Sequence, residues 1–264
     1  MAGRIRTGIG GWTFPPWRGV FYPNGLRQAD ELAYASSKLG AIEINGTYYS
    51  LQKPATFAAW AAATPEDFVF TIKASRFCTN RRVLSDVGEA MDRFLGQGLT
   101  ELGTKLGPIL WQFMGAKKFD ADDFAGFLAL LPHELAGRPL RHCVEVRHAS
   151  FATEAFVDLA RAHNVAICAS ENPDYPLIAD VTADFVYARL MKGRDEIETG
   201  YEAGDLDAWA DRFRAYAGGG TPTDLPVLAT KAVETPRDVF AFFISAGKVR
   251  APAAAMALAD RLQR

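Results

Sequence analysis

Short apolar runs alternate with helical stretches along this chain. The pattern marks an α/β protein built as one closed parallel (β/α)8, or TIM, barrel, with some irregular or missing helices. About eight such runs recur within 264 residues, which is the length a single barrel occupies. Between most of them, apolar residues fall at helical spacing. Charged or amide side chains end several of the runs, and a parallel α/β fold gathers its functional groups at that end of the strands. No repeat, low-complexity tract or linker divides the sequence, so residues 1–264 read as a single domain.

The first strand candidate is Ile5 to Trp12. It contains Gly8-Ile-Gly10-Gly11, but position 13 is Thr, so the dinucleotide-binding glycine fingerprint is incomplete. A helical pattern over Gln28 to Leu39 places Leu32, Ala35 and Leu39 on one face. The second strand is expected near 41–46. The helix after it, Pro54 to Ala63, carries proline in its first turn, where the missing N–H has no partner to lose. The third strand lies near 68–74. Asp86 to Leu102 follows as a helix with Met91, Phe94, Leu95, Leu99 and Leu102 at helical spacing. Strands near 106–113, 142–147 and 165–170 are separated by helices over Phe119 to Leu131 and Thr153 to His163. Only roughly 14 residues separate the sixth and seventh strands, too few for a full crossover helix. The seventh strand, near 184–190, precedes a helix over Leu206 to Ala217. The stretch Gly218 to Arg237 is rich in Gly and Pro. Within it, Leu225 to Lys231 competes with 239–245 to be the eighth strand, before a last helix over Pro252 to Leu262.

The chain is 49% hydrophobic, with a net charge of −2 and pI near 6.1. It can bury a full core and carries no global field for nucleic acid or an anionic membrane. Its three cysteines form no CxxC, and Cys143 and Cys168 lie inside apolar runs, so both are expected in the core. No apolar run reaches the ~18 residues of a membrane span. Met1-Ala-Gly-Arg-Ile-Arg has no apolar h-region. A soluble cytoplasmic protein is expected.

The strand ends carry the chemistry. Glu43 and Asn45 share a strand face, as do Glu145 and Arg147. Lys73, Gln112 and Arg189 end three other strands. Charges inside a barrel carry a desolvation penalty of roughly several kcal/mol per ion unless partners compensate. The set is thus either a satisfied ion-pair layer or a ligand site, and its mixed signs suit an anionic or zwitterionic ligand. The loop from Gly10 to Pro23 is aromatic and rich in Gly and Pro. Trp12 and Trp17, joined by Tyr48, either stack on a ligand or plug the barrel end. Arg76, Arg81 and Arg82 follow the third strand and could meet phosphates, although a solvated loop is the expectation for Arg81 and Arg82. Ser245 to Arg250 is a short glycine loop where barrels often hold phosphate. Of the four histidines, only His148 falls at the active face, amid cations, so no metal or other cofactor is expected. No Ser-His-Asp order, GxSxG elbow or Walker loop is present.

At several of these residues the chain resembles the YecE-like family, domain of unknown function 72. The matching pieces begin with Gly8-Ile-Gly-Gly-Trp12, Trp17-Arg-Gly, Phe21-Tyr-Pro23 and Glu43-Ile-Asn-Gly-Thr-Tyr-Tyr49. They continue through Phe70-Thr-Ile-Lys73, Leu106-Gly-Pro-Ile-Leu-Trp-Gln112, Glu145-Val-Arg-His148 and Thr182-Ala-Asp-Phe-Val-Tyr-Ala-Arg-Leu190. The resemblance implies a TIM barrel and supplies no activity. The family fold is similar to endonuclease IV and to sugar isomerases, and a nucleic-acid role has been suggested on that analogy. The chain departs from the family pattern at Asn80, Ala149, Phe151 and Met191-Lys192. It departs again at Phe243-Ile-Ser-Ala, where the last strand lacks the usual polar end.

Three functions fit these residues. The first is a metal-independent enzyme acting on a small anionic metabolite, such as a phosphorylated sugar. Glu43, Glu145 and Lys73 would be its catalytic groups. Trp12, Trp17, Asn45, Tyr48, Arg76, Gln112, Arg147, His148 and Arg189 would be its binding groups. The second is a nucleic-acid protein using the aromatic first loop with Arg76, Arg81 and Arg82. The third is a non-catalytic metabolite-binding protein with the same pocket. No membrane partner is expected.

Overall fold

The computed structural model describes residues 2–229 and 232–263. In it, eight of the apolar runs become staves of a parallel barrel. These are β1 (Ile5–Gly10), β2 (Ala41–Ile44), β3 (Val69–Lys73), β4 (Leu106–Gln112), β5 (His142–Glu145), β6 (in two pieces, Ala166–Ile167 and Ala169–Glu171), β7 (Phe185–Lys192) and β8 (Asp238–Ala246). Each strand pairs in parallel with the next, and β8 returns to β1. The ring closes at β6, whose first piece pairs with β5 and whose second pairs with β7. Between the pieces, the Cys168 N–H still donates to the Val144 carbonyl at 2.9 Å, so the ladder is interrupted without opening the barrel.

Strand side chains alternate between two cores. Ala41, Val69, Leu110, Cys143, Tyr187 and Phe242 belong to the cluster inside the barrel. Ile42, Phe70, Ile109, Trp111 and Val144 face outward and pack with the helices. β1 turns glycines inward. A Cβ on Gly8 would lie 2.1 Å from the Ala41 carbonyl oxygen and 3.0 Å from the Phe242 ring. The absent side chain leaves the barrel centre to Phe242 and Tyr187, whose rings sit 5.1 Å apart.

The outer layer is α1 (Glu31–Ser36), α2 (Pro54–Ala62), α3 (Arg76–Thr79), α4 (Gly88–Leu95), α5 (Ala121–Ala129), α6 (Glu154–Ala162), α7 (Ala203–Ala217) and α8 (Ala251–Leu262). Several differ from the pattern in the sequence. The stretch Gln28 to Leu39 splits into a 3-10 turn, Gln28–Asp30, followed by α1. The long helix expected to reach Leu102 stops at Leu95. Gly96 and Gly98 follow, the latter at φ +106°, and the chain resumes as a 3-10 segment, Leu99–Lys105. Glycine ends the helix there because it alone enters that backbone region without strain. α3 has no counterpart in the apolar spacing; Ser75 caps it by accepting the Phe77 N–H at 3.3 Å. A small antiparallel hairpin, Glu134–Leu135 with Arg138–Pro139, also precedes β5.

Residues 172–184 cross from β6 to β7 without a helix, as their length dictates. β8 forms from the later of the two candidates. In the rival stretch, residues 225–229 are irregular and the last two residues lie outside those described. Pro226 has no N–H for a ladder. The segment is instead held by Asp180, which accepts the N–H groups of Leu228 at 2.8 Å and Ala229 at 3.0 Å.

Gly8→Ala should destabilise the barrel by at least about 3 kcal/mol, because backbone rather than a movable side chain blocks the added carbon. Gly115→Ala is the control. Its Cβ would meet nothing within 4 Å, and its unfolding free energy should stay within about 0.5 kcal/mol of the parent. Urea unfolding of the two variants measures the contrast.

Candidate functional site

The inward-facing positions nearest the C-terminal strand ends are polar, and they converge on one guanidinium. Arg189, from β7, is 3% exposed and lies between two fully buried carboxylates. Its Nη2 donates to Glu43 Oε1 of β2 at 3.1 Å, and its Nη1 donates to Glu145 Oε2 of β5. Arg147 Nε donates to Glu145 Oε1 at 2.7 Å, and Gln112 Nε2 reaches both Glu145 oxygens at 3.1 Å. On the far side, Tyr187 donates its hydroxyl to Glu43 Oε2 at 2.7 Å, so the Thr71 hydroxyl, 2.9 Å away, donates to Tyr187. Burial alone would raise the Glu145 carboxyl. The adjacent charges of Arg189 and Arg147 overcome this and hold it down to about 2. Burial, reinforced by Glu43, raises the Tyr187 phenol far above its ordinary value and keeps it a donor. The ion-pair layer is satisfied except at Arg189 Nε, which is buried with no partner among the described residues.

Above this layer is a cavity of about 370 Å³. Its charged lining is cationic throughout: Lys73, Arg147, Arg189 and Lys248, with Asn45 and Gln112 as amides. Glu43 and Glu145 lie beneath and do not line it. Gly10 forms part of the wall; a Cβ there would sit 2.7 Å from Ile244 and 2.9 Å from the Asn45 amide. Arg147 stacks over the Tyr175 ring at 4.5 Å, and Lys248 over Phe14 at 4.3 Å. α8 starts at this wall, with Ala251 in the lining. Lys73 is 8% exposed, and its ammonium rests 4.2 Å from the Tyr48 ring centroid. Burial, then the like charge of Arg189, pulls its pKa down to about 8. A larger depression of about 670 Å³ lies around Leu51, Phe77, Arg81, Arg82 and Arg93 but holds none of the strand-end groups.

The structure thus brings Trp17, Asn45, Lys73, Gln112, Arg147 and Arg189 to one wall, with Glu43 and Glu145 below and Tyr48 against Lys73. Three of the sequence candidates sit elsewhere. Trp12 packs edge-on against Trp60 at 5.1 Å. His148 caps the 3-10 turn Ala149–Phe151, accepting the Ser150 N–H at 3.1 Å. Arg76 is exposed on α3, 5.5 Å over Phe77. The first loop is a plug whose rings pack on one another. Trp17 meets Phe14 at 5.2 Å and gives its indole N–H to the Lys248 carbonyl at 2.8 Å. Of the other histidines, His142 is a core residue. Its Nδ1 accepts from Trp111 at 3.1 Å, which leaves Nε2 to donate to the Pro132 carbonyl at 2.8 Å. No group of three or more His, Cys, Asp or Glu is placed to hold a metal among the described residues. Sequence reasoning missed Tyr187 and Tyr175, and within the Ser245 to Arg250 loop it did not single out Lys248. Tyr187 stands two residues before Arg189 on the same strand, so strict alternation places both inside the barrel.

A parallel eight-stranded barrel with a charged mouth at its C-terminal strand ends is a TIM-barrel protein. The family described as Protein of unknown function DUF72 matches residues 6–264, and the chain belongs to that family. Among solved structures, a DUF72 family protein from Thermotoga maritima MSB8 is 21% identical. It superposes at a TM-score of 0.73 over 99% of this chain and 100% of its own. Another, from Enterococcus faecalis V583, is 15% identical, with a TM-score of 0.70 over 99% of this chain and 98% of its own. At these identities the likeness is one of fold. No curated protein matches the sequence.

The Glu145 network should govern acid stability. A carboxyl at about 2 when folded, against 4.5 ordinarily, stabilises fully above its unfolded value. That contribution is lost as pH falls through the folded value. Glu145→Gln should flatten the fall between those limits. At pH 7 it should also destabilise by ~3–5 kcal/mol, since it strips Arg147 and Arg189 of a buried counter-charge. Urea unfolding from pH 2 to pH 7 tests both; an unchanged acid limb would assign it to other carboxylates.

Proposed function

We propose that the barrel mouth binds a small anionic metabolite of the phosphorylated-sugar class and transforms it by acid–base chemistry without a metal. One observation carries this reading: four cations line the cavity against two carboxylates beneath it, which pair with Arg147 and Arg189 and leave Lys73 and Lys248 without an ion pair among the described residues. The volume suits a small ligand. Arg147 keeps Nε on Glu145 and is 23% exposed, so the rest of its guanidinium is free to face an anion. Lys248 is exposed at the rim, and the first turn of α8 adds a favourable dipole. Asn45 and Gln112 orient neutral oxygens of the ligand. The same positive wall opposes a divalent cation.

Proton transfer falls to Lys73. Its pKa of about 8 places it nearest neutrality of the groups on this wall whose shift is resolved. Glu145, held at about 2, orients Arg147 and Arg189 instead. Glu43, between Arg189 and Tyr187, sets the position of both. A non-catalytic metabolite-binding protein would use the same wall and differ only in lacking turnover. A nucleic-acid role would rest on the separate groove beside α3, where Phe77 is 52% exposed next to Arg81 and Arg82. Steep weakening with salt would distinguish it.

Inorganic phosphate and sugar phosphates should raise the melting temperature, and Arg147→Met should abolish the rise. A ligand at ~100 times its dissociation constant adds about 2.7 kcal/mol, well within reach of thermal-shift measurement. A variant that melts lower yet keeps the full ligand-induced gain would make Arg147 purely structural and remove the anion site from this wall.

A further inference from the structure

Resting on that anion-site reading, we infer that Lys73 is a carbonyl-capturing amine. Its Nζ condenses with a small aldehyde or ketone whose phosphate or carboxylate is held by Arg147 and Lys248. Other lysines that leave solvent are satisfied by acceptors: Lys105 donates to the carbonyls of Ala61 and Thr64 at 2.5 and 2.6 Å, and Lys117 pairs with Asp123 at 2.6 Å. Both are less buried than Lys73. Yet Lys73 has no ion pair and no side-chain hydrogen bond among the described residues, and its close partner there is the face of Tyr48. A lysine serving structure would hold acceptors, because an unpaired buried ammonium is unfavourable. This one opens onto the cavity beside two arginines.

The surroundings favour the nucleophilic form. Burial and the Arg189 charge pull its pKa to about 8, so about a tenth of the amine is uncharged at pH 7. The nitrogen lone pair adds to the carbonyl carbon, and the C=O π pair moves to oxygen. Both amine protons then leave with that oxygen as water, and C=N replaces C=O with no change in oxidation level. On protonation the imine becomes a cation again, over the Tyr48 ring and above Glu43 and Glu145, and draws electrons from the neighbouring carbon. Arg147 and Lys248, on the same wall, hold the anionic end of the carbonyl compound.

The test is borohydride trapping of the native chain with glycolaldehyde phosphate or dihydroxyacetone phosphate, mapped by peptide mass spectrometry. The expected result is a reduced adduct on Lys73, at least about tenfold above any other lysine, suppressed by inorganic phosphate and absent from Lys73→Met. The mapping is done on the unmutated chain, so it does not depend on how the variant folds. If phosphate stabilises the protein but no adduct forms on Lys73, the amine proposal fails and the anion site stands. If Lys73 is labelled equally by unphosphorylated glycolaldehyde and phosphate does not compete, the amine stands and the anion site falls. Labelling spread over exposed lysines with no preference for Lys73 overturns the inference.

Discussion

Arg189 holds two carboxylates from opposite parts of the ring, and the upper half of the barrel is arranged around that guanidinium. Removing a charge from water costs roughly several kcal/mol, and a bundle of three such charges is stable only when nearly every hydrogen-bonding atom is met. The fold meets the condition with residues drawn from β2, β3, β4, β5 and β7. Tyr187 and Thr71 complete Glu43; Gln112 and Arg147 complete Glu145. Aliphatic side chains would fill the same space at less electrostatic expense. The layer therefore works as a foundation, fixing Arg147 and Arg189 from below while both also line the cavity above.

The two sides of this layer differ in charge. Below it lies an apolar cluster that includes Phe242, Leu110 and Val69, with the Phe242 ring against Gly8. Above it the wall is positive, and its tuning comes from burial and like charge acting together on Lys73. The carboxylates beneath pair with Arg147 and Arg189 from below and do not themselves line the cavity. An anion entering the mouth would complete a charge balance that the protein leaves open.

Much of this is legible in the sequence. Buried parallel strands read as continuous apolar runs, so their number and their polar ends follow from residue order alone. The helices are less legible, because Gly98, at φ +106°, turns the chain out of helical geometry after α4 although the apolar spacing runs on to Leu102. At the site, Glu43, Glu145, Lys73, Gln112, Arg147 and Arg189 announce themselves as charges or amides in apolar company. Tyr187 does not, since an aromatic ring within a strand reads as core until its hydroxyl is given a partner. Lys248 is hidden for another reason: it reaches the mouth only by ring closure, from the opposite end of the chain. Trp12 and Trp17 have the composition of a stacking surface. Whether such rings face a ligand or each other depends on neighbours such as Trp60 that lie far away in sequence.

The bond from the Trp17 indole to the Lys248 carbonyl spans 231 positions, and β1 pairs with β8 over a similar separation. Contacts so remote in sequence are slow to form, because the loop they close must be ordered before they return any free energy. At the mouth the first unit of the barrel, with Gly10 and Trp17, therefore adjoins the last, with Ser245 and Lys248. A nascent chain lacking β8 has neither the ring closure nor Lys248 at the mouth. Assembly of the mouth is in this sense the last event of barrel closure, with the Trp17–Lys248 bond as a clasp between the two ends of the chain.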